Sequence, residues 1–237
     1  MSVDLSVVVP TFNEKDNVAV LLERLDAALE GISREVIFVD DDSPDGTAAQ
    51  VRALARRRSD VRCIHRIGRR GLASACVEGI LASTAPYCAV MDADLQHDEK
   101  ILPKMLMELR QENLDMVVGS RYVQGGDFGG WAAGRLFASK AATWVSKKLL
   151  RVDVQDSMSG FFMVERGFFM KTVRRLTGKG FKILLDIFAS SPEPVRFKEI
   201  PYTFGLRVAG DSKLDTLVIW EYALLIADKL IGHVIPV

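Results

Sequence analysis

Asp92 and Asp94 stand on either side of a small Ala93, where the apolar run Tyr87-Cys88-Ala89-Val90-Met91 gives way to Leu95-Gln96-His97. Two carboxylates this close repel each other unless a cation lies between them. Oxygen donors suit a hard divalent ion, Mg²⁺ or Mn²⁺. In an extended chain alternate side chains share a face, so this spacing predicts that both carboxylates point the same way. A solvated turn after a strand would use the same residue types, and it is the surrounding sequence that favours the metal. Three further acids, Asp40, Asp41 and Asp42, close the run Val36-Ile37-Phe38-Val39, with Asp45 placed to cap the helix that follows. Three like charges in succession are costly to hold, and capping does not explain them.

These residues need a scaffold, and the hydrophobic pattern supplies one. Leu5–Pro10, Val36–Val39, Val61–Ile64, the run before Asp92 and Met116–Arg121 read as strands. Between them come helical patterns at about 15–30, 47–58, 72–83 and 99–111, the first ended by Gly31. Strands alternating with helices predict a Rossmann-like, mostly parallel sheet covered on both faces. Ligands of such sheets sit beyond the carboxyl ends of the strands. Pro10 to Glu14, Asp40 to Asp42, Asp92 to Gln96 and Arg121 all fall at ends of that kind. After Arg121 the rhythm changes. A glycine-rich stretch at 125–130 leads to a basic amphipathic helix at about 134–150, carrying Arg135, Lys140, Lys147 and Lys148. A surface helix or one lying on an anionic membrane would both read this way. A strand is expected from Asp156, a helix from Gly180, and an edge strand over Phe197–Phe204. A polar loop from Arg207 to Lys213 then precedes a last helix at about 214–231 with an apolar stripe. No repeat or linker interrupts the chain, which reads as a single domain.

The balance of 31 basic and 31 acidic residues argues against a nucleic-acid binder that works by bulk charge. Cys63, Cys76 and Cys88 lack metal-ligand spacing and read as reduced core thiols. No signal peptide is evident, and there is no run of roughly 20 apolar residues to span a bilayer. Phosphate-binding glycine loops of the P-loop and dinucleotide types are also missing. Gly68-Arg69-Arg70-Gly71 lies too far along the chain to be a nucleotidyltransferase signature. A divalent ion at such a sheet edge implies a diphosphate. Sugar transfer from a nucleotide-sugar, nucleotidyl transfer and a nucleotide-binding regulator without chemistry all remain open on these grounds.

Seven spaced segments carry a resemblance. Val9-Pro10-Thr11-Phe12-Asn13-Glu14, Val39 to Thr47, Gly71-Leu72, Met91 to His97, Gly119-Ser120-Arg121-Tyr122, Ser159-Gly160-Phe161 and Ser212-Lys213-Leu214 occur in order from residue 5 to about 215. Together they resemble the polyprenyl-phosphate glycosyltransferases of glycosyltransferase family 2, the dolichol-phosphate mannose synthases being the nearest type. The resemblance implies a GT-A fold over residues 1–213, with 214–237 a C-terminal amphipathic helix near a membrane. It implies a nucleotide-sugar donor, Mg²⁺ or Mn²⁺, and a polyprenyl- or dolichyl-phosphate acceptor. Pro10, Phe12, Glu14, Val39 and Asp41 would hold the nucleoside, with Asp41 accepting a hydrogen bond from the base; Phe12 stands where such proteins often have tyrosine. Asp92 and Ala93 would line the donor, and Asp94 and Gln96 would ligate the metal. Arg121, Arg207 and Lys213 would meet phosphates, with Arg121 and Arg135 at the acceptor; Asp94, Arg121, Arg207 and Lys213 form the implied catalytic set.

A lipid phosphate is already anionic at neutral pH, so it can attack the anomeric carbon without a protein base. Positioning and charge stabilisation are then the protein's work, and a single displacement inverts the centre. Asp186 is the alternative base, although its spacing from Lys182 is that of a helical ion pair. Mannose from GDP-mannose is favoured, with a UDP-sugar transferase or a non-catalytic nucleotide-binding module as alternatives. The expected place is the cytoplasm, peripheral at the cytoplasmic face of a membrane, with a membrane subunit or a missing C-terminal transmembrane region supplying any firmer anchor. No nucleic-acid partner is expected.

Overall fold

The computed structural model describes residues 3–127, 154–178, 180 and 182–205. The basic helix, the loop holding Arg207 and Lys213, the terminal helix and the boundary at 213 lie outside the described residues. Seven strands and six α-helices follow in the order β1 (Leu5–Thr11), α1 (Lys15–Ala28), β2 (Arg34–Asp40), α2 (Thr47–Ala55), β3 (Val61–His65), α3 (Leu72–Ala82), β4 (Tyr87–Val90), α4 (Leu102–Gln111), β5 (Met116–Ser120), β6 (Phe162–Glu165), α5 (Arg166–Thr172), α6 (Ile183–Ser190) and β7 (Phe197–Pro201) among the described residues. The strands form one sheet in the order β3-β2-β1-β4-β6-β5-β7. The pairs of β1 with β2 and β4, β2 with β3, and β5 with β7 are parallel, as the alternation predicts.

Every residue of β1 is buried, because helices cover both faces of the sheet and leave no polar side. The pleat divides the apolar residues between two layers. Val7, Val9, Val36 and Phe38 pack with Val18, Leu21, Leu25 and the apolar face of α4. Val8, Ile37, Val39, Cys88 and Val90 pack with Cys76 and Ile80 of α3 and with Leu184 and Ile187 of α6. Gly79 lets α3 approach this second face, since a Cβ there would lie 2.3 Å from Val8 Cγ1. Pro10 is accommodated in β1 because β4 pairs only with Leu5–Val8, so one flank of the strand has no ladder to lose at Pro10.

β6 runs antiparallel between β4 and β5, pairing with both. Several local expectations need correction. The strand expected from Asp156 begins only at Phe162, and residues 155–158 form a turn instead. α5 was not foreseen; Glu165 caps it, its carboxylate accepting the N–H groups of Gly167 and Phe168. The β7 ladder stops at Pro201, and Thr203 makes only an isolated bridge to Asp127. Asp45 sits one residue before the α2 N-cap, yet its carboxylate still takes the Thr47 N–H at 2.9 Å.

Candidate active site

Each of the three acids after β2 has its own partners, which is how the run is held. Asp40 is fully buried and accepts hydrogen bonds from Thr11 Oγ1 (3.1 Å), Ser43 N (3.0 Å) and Ser43 Oγ (2.7 Å). Asp41 accepts Arg66 Nη1 at 2.8 Å and Gly71 N at 2.7 Å. Burial pushes the Asp41 carboxyl above its usual range, against the pull of the Gly71 N–H and the Arg66 charge. Asp42 turns outward through a positive φ of 57° and meets His65 Nε2 at 2.9 Å and Gly68 N at 3.2 Å. The 66–71 loop is therefore built onto the acids, and Arg70 from it lies 4.3 Å over the Phe12 ring. Glu14, at the end of β1, accepts Asn17 Nδ2 at 2.7 Å and donates its N–H to Thr47 Oγ1 at 3.0 Å. Val39 sends its side chain into the core and pairs with Pro10 and Ile64, one residue before the end of β2.

The second acidic group departs from its expected geometry. β4 ends at Val90 and Leu95 adopts a φ of 64°, so strand alternation does not govern Asp92 and Asp94. Asp92 keeps 38% of its side chain exposed, whereas Asp94 and Ala93 are buried. Both acids flank His97. Its Nδ1 accepts the Asp92 N–H at 3.1 Å, its Nε2 lies 3.8 Å from Asp92 Oδ2, and burial brings its pKa down to about 4. The neutral ring stacks on Phe161 at 4.9 Å and meets the edges of Tyr202 and Phe204. Asp94 Oδ1 accepts the Gln96 N–H at 3.2 Å, fixing these two residues to each other. Gln96 in turn donates from Nε2 to the Gly205 carbonyl at 2.9 Å.

This donor set fits a hard divalent cation. Carboxylate and amide oxygens are its ligands of choice, and no soft donor is present. Among the described residues no group of three His, Cys, Asp or Glu side chains forms a protein-only cage. Mg²⁺ commonly takes one or two carboxylates and completes its shell with substrate phosphates.

Arg121 follows β5 and is buried, not a surface ion pair. Asp156, itself fully buried, takes its main-chain N–H at 3.0 Å, its Nε at 2.8 Å and its Nη2 at 2.8 Å. Ser159-Gly160-Phe161 lies at the same edge because β6 starts there. Ser159 Oγ ties to the Gly119 carbonyl at 2.7 Å, and Gly160 leaves room beside Asp92, whose Oδ2 would lie 3.4 Å from a Cβ. Asp186 has other work: its carboxylate accepts Thr177 N (2.8 Å), Thr177 Oγ1 (2.7 Å) and Ser190 Oγ (3.0 Å).

Pro10, Phe12, Glu14, Asp41, Asp92, Ala93, Asp94, Gln96 and Arg121 are thus gathered along one edge of the sheet, at or just past the ends of β1, β2, β4 and β5. Arg135, Arg207 and Lys213 lie outside the described residues. Sequence reasoning missed Arg66, His97 and Asp156 as members of the site. The available signal was position: Arg66 directly follows β3, at the same edge as the acids.

Residues 6–173 match the family model described as glycosyl transferase family 2. A dolichol-phosphate mannosyltransferase from Pyrococcus furiosus is 38% identical over 220 residues, covering 92% of this chain; the chain spans 61% of that relative's length. One from Saccharomyces cerevisiae is 37% identical over 231 residues, covering 94% of this chain and 85% of the relative. Among solved structures, glucosyl-3-phosphoglycerate synthase from Mycobacterium tuberculosis with phosphoglyceric acid superposes with a TM-score of 0.70 at 19% identity, over 96% of this chain and 80% of that one. The same enzyme has been crystallised with Mn²⁺, uridine diphosphate and phosphoglyceric acid (TM-score 0.69, 18% identity, 96% of this chain and 78% of that one).

Proposed function

The chain belongs to glycosyl transferase family 2, and from that premise we propose that it transfers a hexose, mannose from GDP-mannose, to a polyprenyl or dolichyl phosphate with inversion and with a divalent metal. Its fold is of the GT-A type. The observation that carries the reading is the alignment of Asp41, Asp94 and Arg121, far apart in sequence, beyond the carboxyl ends of β2, β4 and β5. One edge then offers an acceptor for a base, oxygens for a cation and a cation for a phosphate. The names of the relatives support the sugar and the lipid acceptor.

In this reading Pro10, Phe12, Glu14, Val39 and Asp41 hold the nucleoside, and Asp92 and Ala93 line the donor. A Mg²⁺ or Mn²⁺ ion held by Asp94 and Gln96 would supply positive charge against the departing diphosphate. Arg207 and Lys213 add charge at the same phosphates, while Arg121 and Arg135 receive the acceptor. The acceptor phosphate oxygen bonds to the anomeric carbon as the bond to the diphosphate breaks, and no protein group takes a proton. What the chain contributes is alignment in a site where charge is poorly screened.

The acceptor's tail requires work at a bilayer, and no helix among the described residues is long and apolar enough to cross one. We assign surface attachment to the basic stretch 134–151, each cation contributing about 1 kcal/mol at an anionic membrane. Changing Lys147 and Lys148 together to Glu is expected to abolish flotation with anionic vesicles at low salt.

The deciding assay offers GDP-mannose, UDP-glucose or UDP-N-acetylglucosamine with a short polyprenyl phosphate and Mg²⁺, and identifies the lipid product by mass. Mannosyl lipid from GDP-mannose is expected. Product from a UDP-sugar alone would reassign the donor, and nucleotide binding with no product from any donor would favour a regulatory module.

A further inference from the structure

Arg121 is given a phosphate to bind, yet the structure already provides it with an anion. Asp156 grips the guanidinium side-on through Nε and Nη2 and also holds the main-chain N–H of the same residue. The Arg121 guanidinium carbon also lies 5.4 Å from the Phe204 ring centroid. The turn carrying Asp156 is itself braced. Glu199 of β7 accepts Gln155 N at 2.8 Å with one carboxylate oxygen and Asp156 N at 3.0 Å with the other. Ser159 closes the turn, donating its N–H to the Asp156 carbonyl at 3.1 Å and its hydroxyl to Gly119, two residues before Arg121.

We propose that Asp156 is a positioning residue for the transfer step, acting through Arg121, and that Glu199 supports it by holding the turn. The inference rests on the proposed function, in which Arg121 receives the acceptor phosphate. A side-on carboxylate fixes the rotation of the guanidinium, so an incoming phosphate meets it in one orientation. The same carboxylate offsets the arginine's charge and weakens its attraction for that phosphate. Asp156 therefore trades acceptor affinity for alignment. Removing its charge while keeping its shape must move the two in opposite directions, whereas loss of a merely structural contact would damage both together.

The test measures initial rates of hexose transfer by the full chain with varied short polyprenyl phosphate, for wild type, Asp156→Asn and Glu199→Gln. Asp156→Asn is expected to lower kcat about tenfold or more, the scale of a misaligned reactant. Its KM for the lipid phosphate falls, and its KM for the nucleotide-sugar is unchanged. Glu199→Gln, which leaves the Asp156–Arg121 pair charged, is expected to lower kcat less and to leave both KM values alone. Wild-type kcat in Asp156→Asn, or a lipid KM that rises in step with the fall in kcat, overturns the proposal. If Asp156→Asn does not fold, Glu199→Gln decides, and an unchanged kcat there overturns it. A wild-type chain inactive with every donor overturns the functional reading and this inference with it; an active wild type beside an unimpaired Asp156→Asn overturns the inference alone.

Discussion

His97 Nδ1 accepts the main-chain N–H of Asp92, so a ring at the far end of the acidic loop fixes where the loop begins. Only a neutral imidazole can accept there, and burial keeps the ring neutral. His97→Phe retains a ring to stack on Phe161 but deletes the acceptor. Losing the hydrogen bond to that partly buried N–H should cost about 1 kcal/mol. Urea unfolding of the two proteins should show a lower midpoint with an unchanged slope.

Asp94→Asn keeps the shape of the side chain and its oxygen acceptor for Gln96 N, but removes the charge. Transfer should fall by about 100-fold or more, the scale on which enzymes lose one charge-stabilising group, while thermal stability changes little. Excess chelator should silence the wild type, and Mg²⁺ or Mn²⁺ should restore it. Full transfer in chelator would remove Asp94 and Gln96 from the role of metal ligands.

The sequence exposed one half of each interaction in this site. Acids after apolar runs mark strand ends, because a buried charge needs partners of its own and few positions in a covered strand supply them, and Asp41 and Asp94 were legible for that reason. Their partners were not. Arg66 looked like any basic loop residue, and Asp156 like the start of a strand, because what defines them is burial against groups 25 and 35 residues away. The same limit hid the place of β6. Its pattern fits either direction, and only the packed sheet decides that it runs antiparallel between β4 and β5.

Arg58 joins Asp26 and Asp60, with Nη1 2.6 Å from Asp26 Oδ2 and Nη2 2.6 Å from Asp60 Oδ2. Hydrogen bonds from Arg58 hold both carboxyls below their usual range. The unfolded chain therefore takes up more protons as pH falls through the carboxylate range. The stabilisation from this cluster is present at neutral pH and lost on acidification. Urea midpoints at about pH 7 and about pH 2.5, the second well below the unperturbed carboxylate values, should differ less in Arg58→Met than in wild type.

Gly79→Ala sets helix propensity against packing. Alanine favours the helix by up to about 1 kcal/mol. Its Cβ would stand 2.3 Å from Val8 Cγ1 and 3.0 Å from Val39 Cγ2, both on central strands that cannot retreat. Overpacking of about 1–3 kcal/mol should win. A lower melting temperature is expected, and an unchanged or higher one would mean that α3 has room to move.

The position of β6 also sets an order of assembly. β1, β2, β3 and β4 need only one another to pair, so the nucleoside half of the edge can form as soon as the chain has passed Val90. β5 has no neighbour to dock on until Phe162–Glu165 has been made and laid against β4, and it is β5 that delivers Arg121. Pairing across that separation carries a loop-closure cost that slows it. During synthesis, the exposed flank of β4 is an unpaired edge waiting for a strand more than seventy residues behind it. That interval is when the nascent chain is most open to misassociation, and a chaperone holding it would protect the sheet on that side.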